Sequence, residues 1–571
     1  GNYDLTLSQT TADIYFTNGS ADTLTKIVTD GAGKGYLYKQ FPAGLFLPSY
    51  TFPIAGSTST SDYSPAIITF ASNTTAGLVG ARVTNSTDLQ LAKDYLKKYW
   101  SFKSSGLSTY SYTADFKYSL TDTVGNQNNY KICQFNASKG WTEYTTQSTV
   151  NTTTQDLSFT ATMTNVADSL NMADYTGGRC PTLFFETTKK GKWNDPSIWS
   201  LSTDSLFQNP TGYNTSYPPN ASNSSGILVL DSVTLTSGIA IDQTVIAQGV
   251  QLSIQPGVTL TVNDGSGKDL NVYGAVDNLG TISNMGSIYV KKDAFYIHDQ
   301  NGGSVPQINW ETLSNCELKS SGTAPSGLNQ NFSNFIYNSS GNFVTLSNDL
   351  NVLNSLIITA GTINASNRTI NVSDSINGTG NLSFTSGTLN IGGDYYNTGS
   401  FTCGTGTVNY ISNNSFQAVK GTTYYKLNIK GSHAKYINGD ITVNAPFNLV
   451  APDSLFSENI YSTCFNITFN DSVHCTGSLI MPCHNTVTYN SNIVNQNIIP
   501  ALYWNFTKSG TAIANQVSAL DVMNDFTISS GTYDCNNFDL TLDGNATNVG
   551  GTFLPGNNTV TYASMINPQS V

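Results

Sequence analysis

The run Thr407-Val-Asn-Tyr410 returns as Thr486-Val-Thr-Tyr489 and again as Thr559-Val-Thr-Tyr562, with starts about 79 and 73 residues apart. Matching pieces lie between the copies. Tyr425-Lys-Leu-Asn-Ile-Lys-Gly431 answers Tyr503-Trp-Asn-Phe-Thr-Lys-Ser509, and LIITAGTINASNRTINV at 356–372 answers FTISSGTYDCNNFDLTL at 526–542. A fixed period of this kind marks a repeat architecture. Within each repeat the strands are four to six residues long, alternate apolar with polar, and are separated by Gly, Asn or Asp, as in Ile254-Gln-Pro-Gly-Val-Thr-Leu-Thr-Val262. Such strands cannot bury themselves alone. Stacking successive turns hides every second side chain and pairs each backbone group with the turn above or below, which makes a β-solenoid. An array of β-sandwiches is the structural rival.

Working outward, the solenoid is expected to start near Gly191, with a first segment over 190–320 and a repetitive one over 321–571. Gly274, Gly280 and Gly387 are expected to supply positive φ at tight corners. Residues 27–185 read differently, with longer strands and more aromatics: Tyr50-Thr-Phe-Pro-Ile54, Ile67-Ile-Thr-Phe70, Tyr99-Trp-Ser-Phe102, the stretch Tyr112 to Tyr118, and Trp141-Thr-Glu-Tyr144. Turn-bounded strands at about ten-residue intervals predict a β-sandwich. The one helix candidate is Asp88 to Lys98, where Leu91, Tyr95 and Tyr99 share a face. Residues 1–26 hold a partial rung, because Gly1-Asn-Tyr-Asp-Leu-Thr-Leu7 matches Asn536-Asn-Phe-Asp-Leu-Thr-Leu542 inside the last repeat. Asn2, Tyr3, Leu5 and Leu7 are thus a candidate assembly strand. The fold class is all-β, a sandwich followed by a solenoid.

Composition agrees. Of 571 residues only 11% are charged, 49 are Gly and 39% are hydrophobic, with 31 Tyr and 27 Phe, enough apolar surface to offset the entropy of ordering. The net charge of −12 argues against nucleic acid as a partner. No apolar run approaches the roughly 20 residues of a membrane span. Gly1 opens with no leader-like segment, so a signal peptide has been removed or the chain is a fragment. Eight cysteines permit up to four disulfides. Twenty-one Asn-x-Ser/Thr sequons, among them Asn18, Asn85, Asn214, Asn377, Asn466 and Asn545, fit an exported glycoprotein.

The carboxylates do not converge on a catalytic pair. Asp277, Asp349, Asp394 and Asp440 each adjoin Gly or Asn at predicted corners, and Arg368 and Lys420, Lys426, Lys430, Lys435 and Lys508 form no cluster, so no catalytic residue is assigned. His474-Cys475 and Cys483-His484 could hold zinc only if neighbouring side chains left opposite faces of a strand, so a Cys475–Cys483 disulfide is preferred. Asn263-Asp-Gly-Ser-Gly-Lys-Asp269 resembles a calcium loop but lacks its terminal Glu, and a plain turn is preferred. No cofactor is expected beyond that weak calcium candidate.

Thr51-Phe-Pro-Ile-Ala-Gly56 with Tyr63-Ser-Pro65, Tyr99-Trp-Ser-Phe102, Gly191-Lys-Trp-Asn-Asp-Pro-Ser-Ile-Trp-Ser200 and the Gly-Thr-Val-x-Tyr copies resemble the large repetitive, adhesin-like cell-surface proteins of Bacteroidota. In that family the segment like GKWNDPSIWS opens a right-handed parallel β-helix. The resemblance implies export, surface display and structural or adhesive work. It also implies O-glycans at Asp-Ser/Thr-apolar triplets, of which this chain has eight, placing candidate sites at Ser169, Ser205, Ser232 and Ser472 among others. The expected function is that of an extracellular structural or adhesive protein that binds other surface proteins or glycans, or associates with itself head to tail through strand addition. The alternative is a polysaccharide lyase, a hydrolase or a glycan-binding module.

Overall fold

The computed structural model describes residues 4–563, except 7–12, 17–25, 31–34, 48, 60, 87–93, 137–139, 145, 165–169, 171–172, 179–182, 203–209, 215–216, 222, 266, 414–415, 459–462 and 482. The described chain is all-β and forms two units, one of residues 1–231 with 240–244, the other of 232–239 with 245–571.

In the first unit two largely antiparallel sheets enclose one core. Tyr99–Ser105 pairs with Gly77–Thr84 and Ala173–Gly178 in one sheet, and Tyr110–Lys117 pairs with Ala66–Asn73 and Asp156–Phe159 in the other. Alternation sends Trp100 and Phe102 from the first sheet and Tyr112 and Phe116 from the second into the same interior. Trp100 and Phe116 lie 5.1 Å apart by ring centroid, and Phe116 stacks on Tyr175 at 5.5 Å. The aromatic density seen in the sequence is thus the sandwich core. The described end of the expected helix is instead a strand, Tyr95–Leu96 pairing with Thr123–Val124. Its Tyr and Leu side chains serve the pleat equally well, and pairing with a neighbour overrides local helical spacing.

Around Gly191, which opens the short strand Gly191–Lys192, Phe184–Thr187 pairs in parallel with Gly226–Val229 and antiparallel with Trp199–Ser202. The GKWNDPSIWS motif folds as a compact corner. Asp195 caps the 3-10 turn Pro196–Ile198 by accepting from the Ser197 N–H at 2.9 Å, and the buried Trp199 indole donates to Trp193 O at 2.9 Å.

The second unit is a β-solenoid; the described chain winds through about 16 turns. Its ladders are parallel, each rung lying about 20 residues after the last: Thr388–Ile391 pairs with Thr407–Tyr410, which pairs with Lys426–Ile429. Leu389, Val408 and Leu427 point inward in register and are buried. The three copies of the Thr-Val-x-Tyr run occupy three different sheets, because each copy is the eleventh strand after the one before and each turn here carries three. The long repeat is therefore not a whole number of turns. Contrary to expectation, Gly274, Gly280 and Gly387 do not have positive φ. A Cβ on Gly274 would lie 2.1 Å from Val250 O, and one on Gly387 2.2 Å from Arg368 O, so close passage of the preceding rung excludes a side chain.

Two sets of polar contacts explain the Asn-rich composition. Asn351, Asn371, Asn390, Asn409, Asn428 and Asn448 stack in register, each Nδ2 donating to the preceding Oδ1 at 2.5–2.7 Å. At corners, Asx oxygens accept the backbone N–H of the following rung: Asp349 from Thr369, Asp394 from Ala418, Asp440 from Asn466 and Asp539 from Thr559. These bonds satisfy groups that a turning backbone leaves unpaired.

Candidate functional site

Alternation decides what the solenoid presents outward. On the ladder through 441–443, 467–469, 486–489, 505–508, 526–528 and 546–548, the outward position is Thr442, Thr468, Thr488, Thr507, Thr527 and Thr547 in register. Their hydroxyls repeat at the rung spacing of about 4.8 Å. On another face, Tyr436 lies opposite Ala418 and Phe456. Tyr436 stacks on Phe456 at 4.6 Å with planes 17° apart, and the exposed Phe416 meets Tyr436 edge-on at 5.7 Å. The sequence reading assigned alternating aromatics to the interior and missed this strip; the one available signal is that all three sit out of phase with their buried neighbours Val419, Ile437 and Leu455.

Among the described residues no strand pairs beyond the last rung. Ala546–Asn548, Thr552–Leu554 and Val560–Tyr562 each end a ladder among the described strands. Leu554 and Tyr562 are more than two-fifths exposed, and a cavity of about 270 Å³ is lined by Phe526, Ile528, Leu542, Ala546, Phe553 and Tyr562. At the other end of the chain Asp4–Thr6 pairs in parallel with Lys26–Val28, which puts Leu5 of the candidate assembly strand in a ladder of its own chain. Asn2, Tyr3 and Leu7 lie outside the described residues.

Asp349, Asp394 and Asp440 are corner residues as expected, but Asp277 is not. It sits within the strand Ala275–Asn278, facing outward beside Asp299 and Glu317 from later rungs. Burial, then the negative charges of Asp299 and Glu317, raise its carboxyl above the usual range. Each of these carboxylates is tied to another rung: Asp277 accepts from Gln251 at 3.0 Å, Asp299 from Lys319 at 3.0 Å and Glu317 from Asn338 at 2.9 Å. They act as rung-to-rung links.

The Cys475–Cys483 pairing is corrected. Cys483 is bonded to Cys464, 19 residues earlier, and Cys475 is a free thiol. Cys475 closes the strand Val473–Cys475 opposite Leu449, and its thiol donates to Gly477 O at 3.4 Å, whereas Cys464 bridges Glu458 in the loop that faces Cys483. His484 stacks on Trp504 at 3.9 Å. Among the described residues no three His, Cys, Asp or Glu gather as metal ligands. In the calcium-like loop Asp269 is buried and accepts from the Gly265 and Ser287 N–H groups and the Ser287 hydroxyl.

Of the candidate glycan acceptors, Asn85, Asn466 and Asn545 are exposed. The Asn85 amide donates to Asp62 and that of Asn545 to Asp525. Asn377 is half-buried and donates to Ser375; Ser232 is half-buried and accepts from the Gln251 N–H; Ser472 is half-buried. Asn214 ends the strand Pro210–Asn214, and its side chain lies outside the description, as do Asn18, Ser169 and Ser205. No described helix is long and apolar enough to cross a membrane. No family model, curated protein or solved structure matches this chain.

Proposed function

We propose that this chain is an extracellular structural or adhesive protein whose solenoid associates end to end by strand addition. The rung at 546–562 carries this reading, since among the described residues it offers three parallel edges around an open, mostly apolar cavity. An unpaired edge over an exposed core is a template for another strand. The occupant is the N-terminal strand of a second copy, for Asp4-Leu-Thr6 repeats Asp539-Leu-Thr541, whose ladder neighbour is the edge strand Val560–Tyr562. The Cys464–Cys483 disulfide and the sequons support an oxidising, extracellular setting. Sedimentation and electron microscopy of the full chain test this: assemblies should grow with concentration and be lost on Thr561→Pro or on deletion of residues 1–10. Monodisperse monomers at high concentration overturn it.

A second reading, glycan binding on the solenoid exterior, is favoured by the Phe416–Tyr436–Phe456 strip, since flat aromatic faces stack on sugar rings.

A further inference from the structure

Lys98 lies in the first unit, between the strands Tyr95–Leu96 and Tyr99–Ser105, and its side chain is wholly buried. Its Nζ is 2.7 Å from Asp62 Oδ1, 2.9 Å from Asp122 Oδ2 and 2.5 Å from Ser64 Oγ. Asp62 belongs to the connection before the strand Ala66–Asn73, and Asp122 to the 3-10 turn Leu120–Asp122. Two separate segments therefore converge on one amine carried by a third. The surroundings are set out unequally. Asp62 Oδ2 accepts from the Asn85 amide at 2.5 Å, while Asp122 Oδ2 accepts from the Ser119 N–H at 3.0 Å. The Trp100 indole, itself buried, donates to Ser64 O at 2.9 Å and closes the site on its inner side.

We infer that this cluster is a modification site at which Lys98 and Asp62 condense into an intramolecular amide, with Asp122 moving the protons. An amine, an acyl group and a second carboxylate held within hydrogen-bond distance keep the reacting groups together. The atoms balance without a co-reactant. Nζ first gives one proton to Asp62 Oδ1, the oxygen it already touches, which turns that carboxylate into the neutral acid, and the freed amine attacks Cγ, forming the N–C bond. A second proton passes from the nitrogen to the Asp122 carboxylate. The Cγ–Oδ1 bond then breaks as Asp122 returns that proton to the departing hydroxyl, which leaves as water. Oδ2 remains as the amide oxygen, and the Asn85 donor already aimed at it supports the negative charge it carries in the intermediate. The product replaces a buried ammonium–carboxylate pair, whose desolvation is costly, by a neutral amide. It also ties the connection before Ala66 to the entry of the strand Tyr99–Ser105 covalently. This inference stands on the first unit alone and does not depend on end-to-end association.

The test is the intact mass of the full chain, made in a host that does not glycosylate it, reduced and denatured. The folded wild-type chain should be lighter than calculated by one water, and a digest should contain a branched peptide joining Lys98 to Asp62. Lys98→Arg and Asp122→Asn should show their full calculated masses. Asp62→Asn should fall below its own calculated mass by one ammonia, because the same attack expels a different leaving group. A wild-type chain of full mass overturns the inference, as does a branch from Lys98 to any residue other than Asp62. The wild-type measurement decides even if a variant fails to fold.

Discussion

The hydroxyls of Tyr410 and Tyr424 lie 2.9 Å apart in the solenoid interior, and 79 residues later those of Tyr489 and Tyr503 lie 2.9 Å apart in the same arrangement. Tyr424 donates onward to Lys420 O and Tyr503 to Ile499 O, both at 2.6 Å, while the N–H groups of Lys420 and Ile499 donate to the first tyrosine of each pair. Gln417 and Gln496 repeat the pattern nearby, each bridging two carbonyls of an earlier rung and accepting one N–H. A corner that breaks the regular ladder is thus satisfied from inside by buried side chains.

Removing one hydroxyl from such a pair leaves a buried backbone group without its partner. Tyr410→Phe and Tyr489→Phe should each destabilise the solenoid by about 1–3 kcal/mol, read as a lower urea midpoint, because each orphans an N–H. Exchange of the Lys420 or Ile499 amide hydrogen should quicken in the matching variant and stay slow in the other.

Lys435 and Asp453 form an ion pair at 2.7 Å with no exposure of either side chain, and the second Asp453 oxygen accepts no hydrogen bond among the described residues. Lys435→Met should cost about 3–5 kcal/mol by stranding the carboxylate, while Lys435→Met with Asp453→Leu should cost far less. Urea denaturation of the two variants checks this. A double variant as unstable as the single would show that the pair supplies net stability.

Burial holds the Lys508 ammonium down at about 8, against 10.5 in an unfolded chain, with its protons given to Ser509 O and Gly510 O. Between those values the unfolded chain binds the extra proton, so stability rises with pH across that window, by something on the order of 2 kcal/mol. Burial raises the Cys316 and Cys535 thiols above their usual 9.0, the latter to about 11, and the Tyr489 and Tyr533 hydroxyls above their usual 10.0, which reverses the trend at higher pH. Urea midpoints from pH 7 upward should therefore climb above about pH 8 and fall past about pH 9, and Lys508→Met should flatten the climb.

Alkylation of the unreduced, denatured chain should modify Cys475 and leave Cys464 and Cys483 unmodified, as peptide mass mapping will show. In the folded chain Cys475 should react slowly, since burial pushes its thiol up. A Cys475–Cys483 peptide would contradict the pairing.

Should the exterior bind glycans, Tyr436→Ala and Phe456→Ala should each weaken retention on polysaccharide columns by up to about tenfold, while Thr488→Ala changes it little, because an aromatic stacking contact contributes about 0.5–1.5 kcal/mol. Equal retention in all variants would remove the strip from consideration.

Local alternation and a recurring turn chemistry determined that this chain is all-β, that its later part stacks in rungs, and that residues 407–410, 486–489 and 559–562 are copies of one strand sequence. These features depend only on which neighbours along the chain are apolar, so they are legible in one dimension. The same reading placed Asp277 at a corner and bonded Cys483 to Cys475, because sequence distance says nothing about which loop the next rung brings alongside. Only the tertiary structure decided that Cys464 faces Cys483, that Phe416, Tyr436 and Phe456 form an outer strip, and that Lys98 meets Asp62 and Asp122. Stacking rungs about 20 residues apart and folding one sheet over another convert long separations into contact, and burial then raises the electrostatic stakes of what meets there.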